Sequence, residues 1–331
     1  MSAPAAPLLS VVIPIYNEQD ALPLTVQRLR PILDGIGETY EVVGVDDGST
    51  DDTAAVLTLL QSRWPQLRVV RLRRNSGHQA ALTAGLHRAL GQYVVSIDAD
   101  LQDPPEKIVE MLALAREGYD IVQGVRDDRS SDTFFKRSTA GAYYSLMHRL
   151  VGREIPKHAG DYRLLSRAAV DALTSLPEAQ PVYRLLVPWL GFRSTSVTFQ
   201  REERVAGSTK YPLSKMVRLA VDSITNFSAA PLRLATWMGL GSFVLAFFLG
   251  VYTAIEQVRG VTVPGWSSLF VAVVFFGAVQ LVCVGLLGEY VGRIYSAVQG
   301  RPAYFIGSDS ADLADVVEVP AVTVSVPAQV G

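Results

Sequence analysis

The sequence predicts an α/β domain on a mostly parallel sheet, followed by an amphipathic helix and a two-helix transmembrane hairpin. Three observations carry that reading. Strand-like apolar runs alternate with helix-like segments over the first ~230 of 331 residues. Short clusters of acidic and amide residues recur where those runs end. Two windows of 22 residues, Leu234 to Ile255 and Ser267 to Gly288, contain no charge.

The expected strands are Ser10–Ile15, Glu41–Val45, Arg68–Leu72, Tyr93–Ile97 and Asp120–Val125, with helices such as Asp51–Arg63 and Gln79–Leu90 between them. The first run, inside MSAPAAPLLSVVIPIYNE, has no basic leader and reads as a strand rather than a signal peptide. Ligands of open parallel sheets bind beyond the carboxyl ends of the strands. Those ends carry Asn17-Glu18, Asp46-Asp47-Gly48-Ser49, Asn75-Ser76-Gly77-His78 and Asp98-Ala99-Asp100. This domain is assigned to residues 1–210.

Residues 211–232 form the expected juxtamembrane segment. Leu213, Met216, Val217, Ala220, Val221 and Ile224 recur at helical spacing, and Lys215, Arg218 and Asp222 fall off that stripe. Such a helix suits a membrane surface; packing on the globular domain is the alternative. Residues 233–290 hold the hairpin. A helix of 22 residues spans about 33 Å, against a bilayer core of about 30 Å. Pro264 and Gly265 mark the turn, and Trp237 and Trp266 fall near span ends. Lys210, Lys215, Arg218 and Arg233 precede the spans, Arg293 and Arg301 follow them, and Arg259 alone lies between. The positive-inside bias therefore places both termini in the cytoplasm. Glu289 and Arg293 are spaced for an interfacial ion pair. The remaining segment, 291–331, becomes rich in Ala, Val, Pro and Ser, with a mobile tail expected from about Ser308.

Composition excludes several classes. Charged residues are 19% overall but about 22% outside the two windows, close to the roughly 25% of soluble domains. Hydrophobic residues at 49% exclude a disordered chain, and a net charge of −2 argues against a nucleic-acid binder. The single cysteine, Cys283, excludes an internal disulfide. No G-x-G-x-x-G follows the first strand, no P-loop is present, and no nucleophile elbow is found.

DADLQDPPE, Asp98 to Glu106, is the most informative segment. Carboxylates at i and i+2 after a strand can share one hard cation, Mg²⁺ or Mn²⁺, whose remaining ligands come from substrate phosphates. In VDDGSTDDT, Asp51 and Asp52 are expected to cap the following helix, whereas Asp46 and Asp47 stand at the strand end and can accept from a base or ribose. His78 is expected to brace its loop, and His148 to pack on a helix.

Taken in order, VVIPIYNE, VDDGSTDDT, NSGHQAALTAGL, DADLQDPPE, FFKR, GDYRLLSR, GSTKY and GEYVGRIY, together with the hairpin, resemble the family 2 glycosyltransferases of the polyprenyl-phosphate type. That family includes dolichol-phosphate mannose synthase and bacterial undecaprenyl-phosphate glucosyltransferases, and the two-span form is most similar to the latter. The resemblance covers roughly residues 8 to 305. It implies a GT-A fold, which is Rossmann-like with a mostly parallel sheet, and transfer of a sugar from a nucleotide donor to polyprenyl phosphate. By matching motif, Pro14, Tyr16, Glu18, Asp46, Asp47, Gln79 and Asp98 would contact the nucleotide-sugar. Asp98, Asp100 and Gln102 would meet the metal. Asp161 holds the catalytic position beside Asp100. Arg126, Arg137, Arg204 and Lys210 would grip the acceptor phosphate. His158, Pro181 and Leu185 depart from the usual pattern and leave acceptor-side detail open.

The implied reaction is an inverting, metal-dependent transfer of a hexose, foremost glucose from UDP-glucose, to undecaprenyl phosphate at the bacterial inner membrane. The product would serve cell-envelope glycan modification. Expected partners are the donor, the lipid, the membrane, further copies of the chain and a lipid-sugar flippase, with no nucleic acid. The alternatives are a GDP-mannose-dependent enzyme and a non-enzymatic partner of such a flippase. A processive polysaccharide synthase should carry Q-x-x-R-W after GDYRL, and none is present.

Overall fold

The computed structural model describes residues 6–127, 159–176, 178, 181–200, 230–260 and 265–312. The chain divides into two compact units. One comprises 1–132, 156–208 and 302–331; the other comprises 133–155 and 209–301.

The first unit is built on an eight-stranded sheet of order β7-β5-β6-β4-β1-β2-β3-β8. Its elements in chain order are β1 (Leu9–Ile15), α1 (Leu22–Ile36), β2 (Tyr40–Asp46), α2 (Thr53–Arg63), β3 (Leu67–Leu72), α3 (His78–Arg88), β4 (Tyr93–Ser96), α4 (Lys107–Arg116), β5 (Ile121–Arg126), β6 (Ala159–Ser166), α5 (Arg167–Thr174), α6 (Tyr183–Leu190), β7 (Ser194–Phe199) and β8 (Ile306–Asp309). β1 pairs in parallel with β2 and β4, β2 with β3, and β5 with β7. β6 runs antiparallel between β4 and β5, and β8 antiparallel on β3. Every residue of β1 is buried, as a strand covered on both faces requires. Leu9, Val11, Ile13 and Ile15 join Leu29 and Leu33 of α1, Leu57 of α2 and Met111 of α4 in one apolar cluster. On the opposite face, α3 lies so close that a Cβ on Gly85 would stand 2.2 Å from Val12 Cγ1.

The five expected strands are all present. Of the two acids placed at the start of α2, Asp51 accepts from the Thr53 N–H at 3.1 Å, whereas the Asp52 side chain makes no capping bond.

The expected mobile tail from Ser308 is corrected by β8. Asp309 is buried, and its carboxylate receives Arg68 Nε at 2.8 Å and Nη2 at 2.7 Å. Arg88 Nε approaches it at 3.5 Å, Arg73 N donates to Phe305 O at 2.9 Å, and Val69 N donates to Ser310 Oγ at 3.0 Å. A short polar segment is held here by an ion pair and a free sheet edge, which hydropathy does not report. Past the last described residue of this segment, 312, the expected tail lies outside the described residues, as does the amphipathic stretch 213–224.

In the second unit α7 (Ala230–Val258) and α8 (Trp266–Val298) pack together, with Cys283 Sγ donating weakly to Ala235 O at 3.6 Å. Ala235–Glu256 and Val271–Val298 are long and apolar enough to cross a membrane. Phe243, Phe247, Phe248 and Leu281 project outward, as lipid-facing side chains do and water-facing ones rarely do. α8 continues past Gly288, and Glu289, the next residue, pairs with Arg293 one turn on at 2.9 Å, as its spacing predicts.

Candidate active site

The strand order reverses between β1 and β4: the chain leaves β1 for β2 and β3, then returns to β4 on the other side. A crevice opens at such a switch point, outside the carboxyl ends of the strands. Here its walls are Pro14 at the end of β1, Tyr16 just after it, Asp47 after β2, His78 at the start of α3, and Asp98 and Asp100 after β4.

The loops are fastened by side-chain-to-backbone bonds. Asn17, in a left-handed conformation at φ 54°, accepts from Thr50 N at 2.9 Å, and its own N–H donates to Ser49 Oγ at 3.0 Å. Glu18 N donates to Thr53 Oγ1 at 3.0 Å, which brings Glu18 to the cleft wall. Tyr16 is left 43% exposed on that wall. Asp46 is fully buried beneath the wall; it accepts from Ser49 N at 2.8 Å and faces Arg71 Nε at 3.1 Å. Asp47 accepts from Ser76 N at 2.7 Å and Gly77 N at 2.9 Å. Burial raises its pKa, partly opposed by those two donors. Gly48, at φ 67°, lets this turn lie against Arg74 and Asn75, where a Cβ would come within 2.6 Å of the Arg74 backbone.

After β4, Thr25 Oγ1 donates to Ala99 O at 2.7 Å, and Gln102 N to Asp100 Oδ1 at 3.2 Å. Leu101 adopts φ 59°, an uncommon conformation for a branched apolar residue, of the kind that gathers at functional sites. It lets the chain turn with both Asp98 and Asp100 on the cleft while Gln102 and Asp103 go inside.

Asp161 on β6 closes the constellation. Its backbone oxygen accepts from Ser96 Oγ of β4. Its Oδ1 meets Arg163 Nη2 at 2.9 Å, and its Oδ2 meets Gln79 Nε2 at 2.8 Å and His78 Nε2 at 3.3 Å. The same imidazole nitrogen is 3.7 Å from Asp98 Oδ1. Burial opposes ionisation of Asp161, but the His78 hydrogen bond and the Arg163 charge prevail and hold its pKa well below the carboxylate range. His78 is raised: burial disfavours its cation, and Asp161, Asp98 and Asp47 outweigh burial. Asp98 is raised by burial first and then by Asp161 and Asp100, with His78 opposing.

The donor set fits a hard divalent cation. Asp98 and Asp100 are two cleft carboxylates whose mutual repulsion such an ion relieves. Among the described residues no group of three or more His, Cys, Asp or Glu side chains is placed to hold a metal ion. An ion held by these two carboxylates would take its remaining ligands from phosphate oxygens and water.

The structure brings Pro14, Tyr16, Glu18, Asp47, Asp98 and Asp100 together on one cleft. Asp46 lies under that wall, and Gln79 Nε2 donates to Asp161. Arg126 Nη2 pairs with the buried Asp103 at 3.2 Å, while burial pushes Asp103 up to about 6 against the Arg126 charge. Arg137, Arg204, Lys210, His148 and His158 lie outside the described residues. Sequence reasoning missed two residues. His78, expected only to brace a loop, faces two carboxylates. Arg163, buried, grips Asp161; the signal was its i+2 spacing from Asp161, which puts both on one strand face.

Residues 10–174 match the model of glycosyl transferase family 2, and residues 230–294 match the GtrB C-terminal hairpin. The uncharacterized glycosyltransferase YkcC of Bacillus subtilis (strain 168) is 42% identical over 300 residues, covering 90% of this chain and 92% of the relative. The SfII prophage-derived bactoprenol glucosyl transferase of Shigella flexneri is 38% identical, covering 90% and 97%. Among solved structures, a Mycobacterium tuberculosis glucosyl-3-phosphoglycerate synthase, in complex with Mn²⁺, UDP and phosphoglyceric acid, aligns with a TM-score of 0.50 at 24% identity, over 67% of this chain and 77% of that one. That likeness shows a shared GT-A fold. Near-full-length identity, the carboxylates at the switch point and the apolar hairpin agree, and they establish that the chain belongs to glycosyl transferase family 2 and is a glycosyltransferase with a GtrB-type hairpin.

Proposed function

We propose that this glycosyltransferase moves glucose from UDP-glucose to a polyprenyl phosphate, with inversion, at the cytoplasmic face of a bacterial inner membrane. The observation that carries the reading is a carboxylate-lined donor cleft on a chain that also bears two membrane-length helices. The relatives named bactoprenol glucosyl transferase support the sugar and the acceptor.

Tyr16 offers its exposed ring to the nucleobase, and Asp47 and Glu18 border the ribose. Asp98 and Asp100, with Gln102 behind them, would hold Mg²⁺ or Mn²⁺, which neutralises the diphosphate leaving group when bound. A phosphate monoester has a second pKa near 6, by analogy with phosphorylated side chains, so the acceptor is largely dianionic and already nucleophilic at pH 7. Its oxygen forms the bond to the anomeric carbon as the bond to the nucleoside diphosphate breaks. Asp161, held ionised, is suited to stabilise positive charge at that carbon more than to take a proton. Arginine forks match phosphate oxygens. Arg126, shared with Asp103, is assigned with Arg137, Arg204 and Lys210 to the acceptor phosphate.

Chain connectivity supports the location. β3 precedes the two spans and β8 follows them, yet the two pair in one sheet. That pairing supports a hairpin that leaves and returns on one side of the membrane, and the basic flanks favour the cytoplasmic side.

The test is incubation of detergent-purified protein with undecaprenyl phosphate and radiolabelled UDP-glucose, GDP-mannose or UDP-GlcNAc. Labelled lipid from UDP-glucose, lost with EDTA and restored by Mg²⁺ or Mn²⁺, is expected. Asp98→Ala and Asp100→Ala should each lower turnover by roughly 10³-fold with membrane insertion intact. Label from GDP-mannose alone corrects the donor, retention in an anomeric NMR assay overturns inversion, and near-normal turnover in either variant overturns the metal assignment.

A further inference from the structure

Arg163 is only 2% exposed, with its Nε buried and unbonded. A buried guanidinium is expensive, and apolar replacement of buried ion pairs is often neutral or stabilising. Its partners point to what this one does. Nη2 donates to Gly160 O at 2.8 Å and Asp161 Oδ1 at 2.9 Å, and Nη1 donates to Tyr183 O at 3.1 Å. The Tyr183 hydroxyl lies 2.8 Å from Thr83 Oγ1, whose single proton goes to Gln79 O at 2.6 Å, so Tyr183 is the donor. Gln79 Nε2 returns to Asp161 Oδ2 at 2.8 Å. These bonds form a closed circuit through α3, α6 and β6 that begins and ends on the two oxygens of one carboxylate.

We propose that Arg163 and Tyr183 are positioning residues for Asp161, fixing the plane of its carboxylate from opposite sides. A carboxylate held at one oxygen can rotate about its χ2; held at both, from separate elements, it cannot. Gly160 O, bound by the same Nη2, fixes the strand just before Asp161. α6 thereby acquires a role in the chemistry without entering the cleft. The proposal rests on reading Asp161 as the catalytic carboxylate.

The test uses the purified full-length chain with UDP-glucose, Mn²⁺ and undecaprenyl phosphate. Three single variants, Arg163→Lys, Tyr183→Phe and Asp161→Asn, are compared with the double variant Arg163→Lys/Asp161→Asn. Lysine keeps the charge but cannot serve three acceptors with fork geometry. Its kcat is expected to fall about 10- to 100-fold, the scale of a 1 Å misplacement, with donor KM and calorimetric UDP affinity within about twofold. Tyr183→Phe, which removes one hydroxyl and keeps the ring packing, should lower kcat by about threefold or more with the same split. In the Asp161→Asn background Arg163→Lys should cost nothing further. Unchanged kcat in Tyr183→Phe, a loss confined to KM or UDP affinity, or additive losses in the double variant overturns the positioning role. Near-normal turnover in Asp161→Asn overturns the reading of Asp161 itself.

Discussion

On the proposed function, Tyr16 and Asp161 divide the work of donor binding and chemistry. Tyr16 leaves much of its ring in water on the cleft wall, and stacking a base on such a ring is worth about 1–3 kcal/mol. Tyr16→Ala should therefore raise donor KM by roughly tenfold and leave kcat within about threefold, as steady-state kinetics with UDP-glucose can show. An equal loss in kcat would place the ring at the reacting carbon instead. The residues that line the cleft at strand ends were legible in the sequence as short acidic and amide clusters that close apolar runs. The union of His78, Gln79 and Arg163 around Asp161 was not, since Gln79 and Asp161 lie 82 residues apart and no local spacing encodes their contact.

At the level of elements, buried parallel strands betray themselves as apolar runs, and all five expected ones formed. β6, with Asp161 and Arg163 in it, was visible only as a motif. β8 was hidden altogether, because its four residues, Ile-Gly-Ser-Asp, owe their place to a vacant edge and two arginines. Removing one member of a buried pair costs about 3–5 kcal/mol. With Arg68 keeping some contact with water, Asp309→Asn should cost about 3 kcal/mol at pH 7, read as a lower unfolding midpoint. Asp309 is lowered in the fold: burial opposes this, and the Arg68 bonds outweigh it. Its contribution is thus fully present above the ordinary carboxylate pKa near 4 and fades as pH falls through the lower folded value. The Asp309→Asn deficit should shrink on acidification below pH 4; a deficit constant down to pH 2 would assign the loss to packing.

For the whole molecule, the hairpin was the plainest feature of the sequence, since two adjacent charge-free windows of membrane length are rare in chains that stay in water. Its sidedness is open to direct measurement. In a Cys283→Ala background, Arg259→Cys, between the spans, should react with a membrane-impermeant maleimide in intact spheroplasts. Ser62→Cys on α2 should react only after lysis. The opposite labelling pattern would invert the orientation and remove the cytosolic donor from reach.

The pairing of β8 with β3 also imposes an order on biosynthesis. Arg68 precedes Asp309 by 241 residues, so at about 5–20 residues per second the edge of β3 stays uncovered on the ribosome for some tens of seconds. Open sheet edges invite aggregation, and positive charge is a standard defence. Arg68, Arg71, Arg73 and Arg74 crowd this stretch of chain. The arginines that later receive β8 thus guard the nascent domain while the two long apolar helices are made, and this edge of the sheet is covered only after both of them have been synthesised.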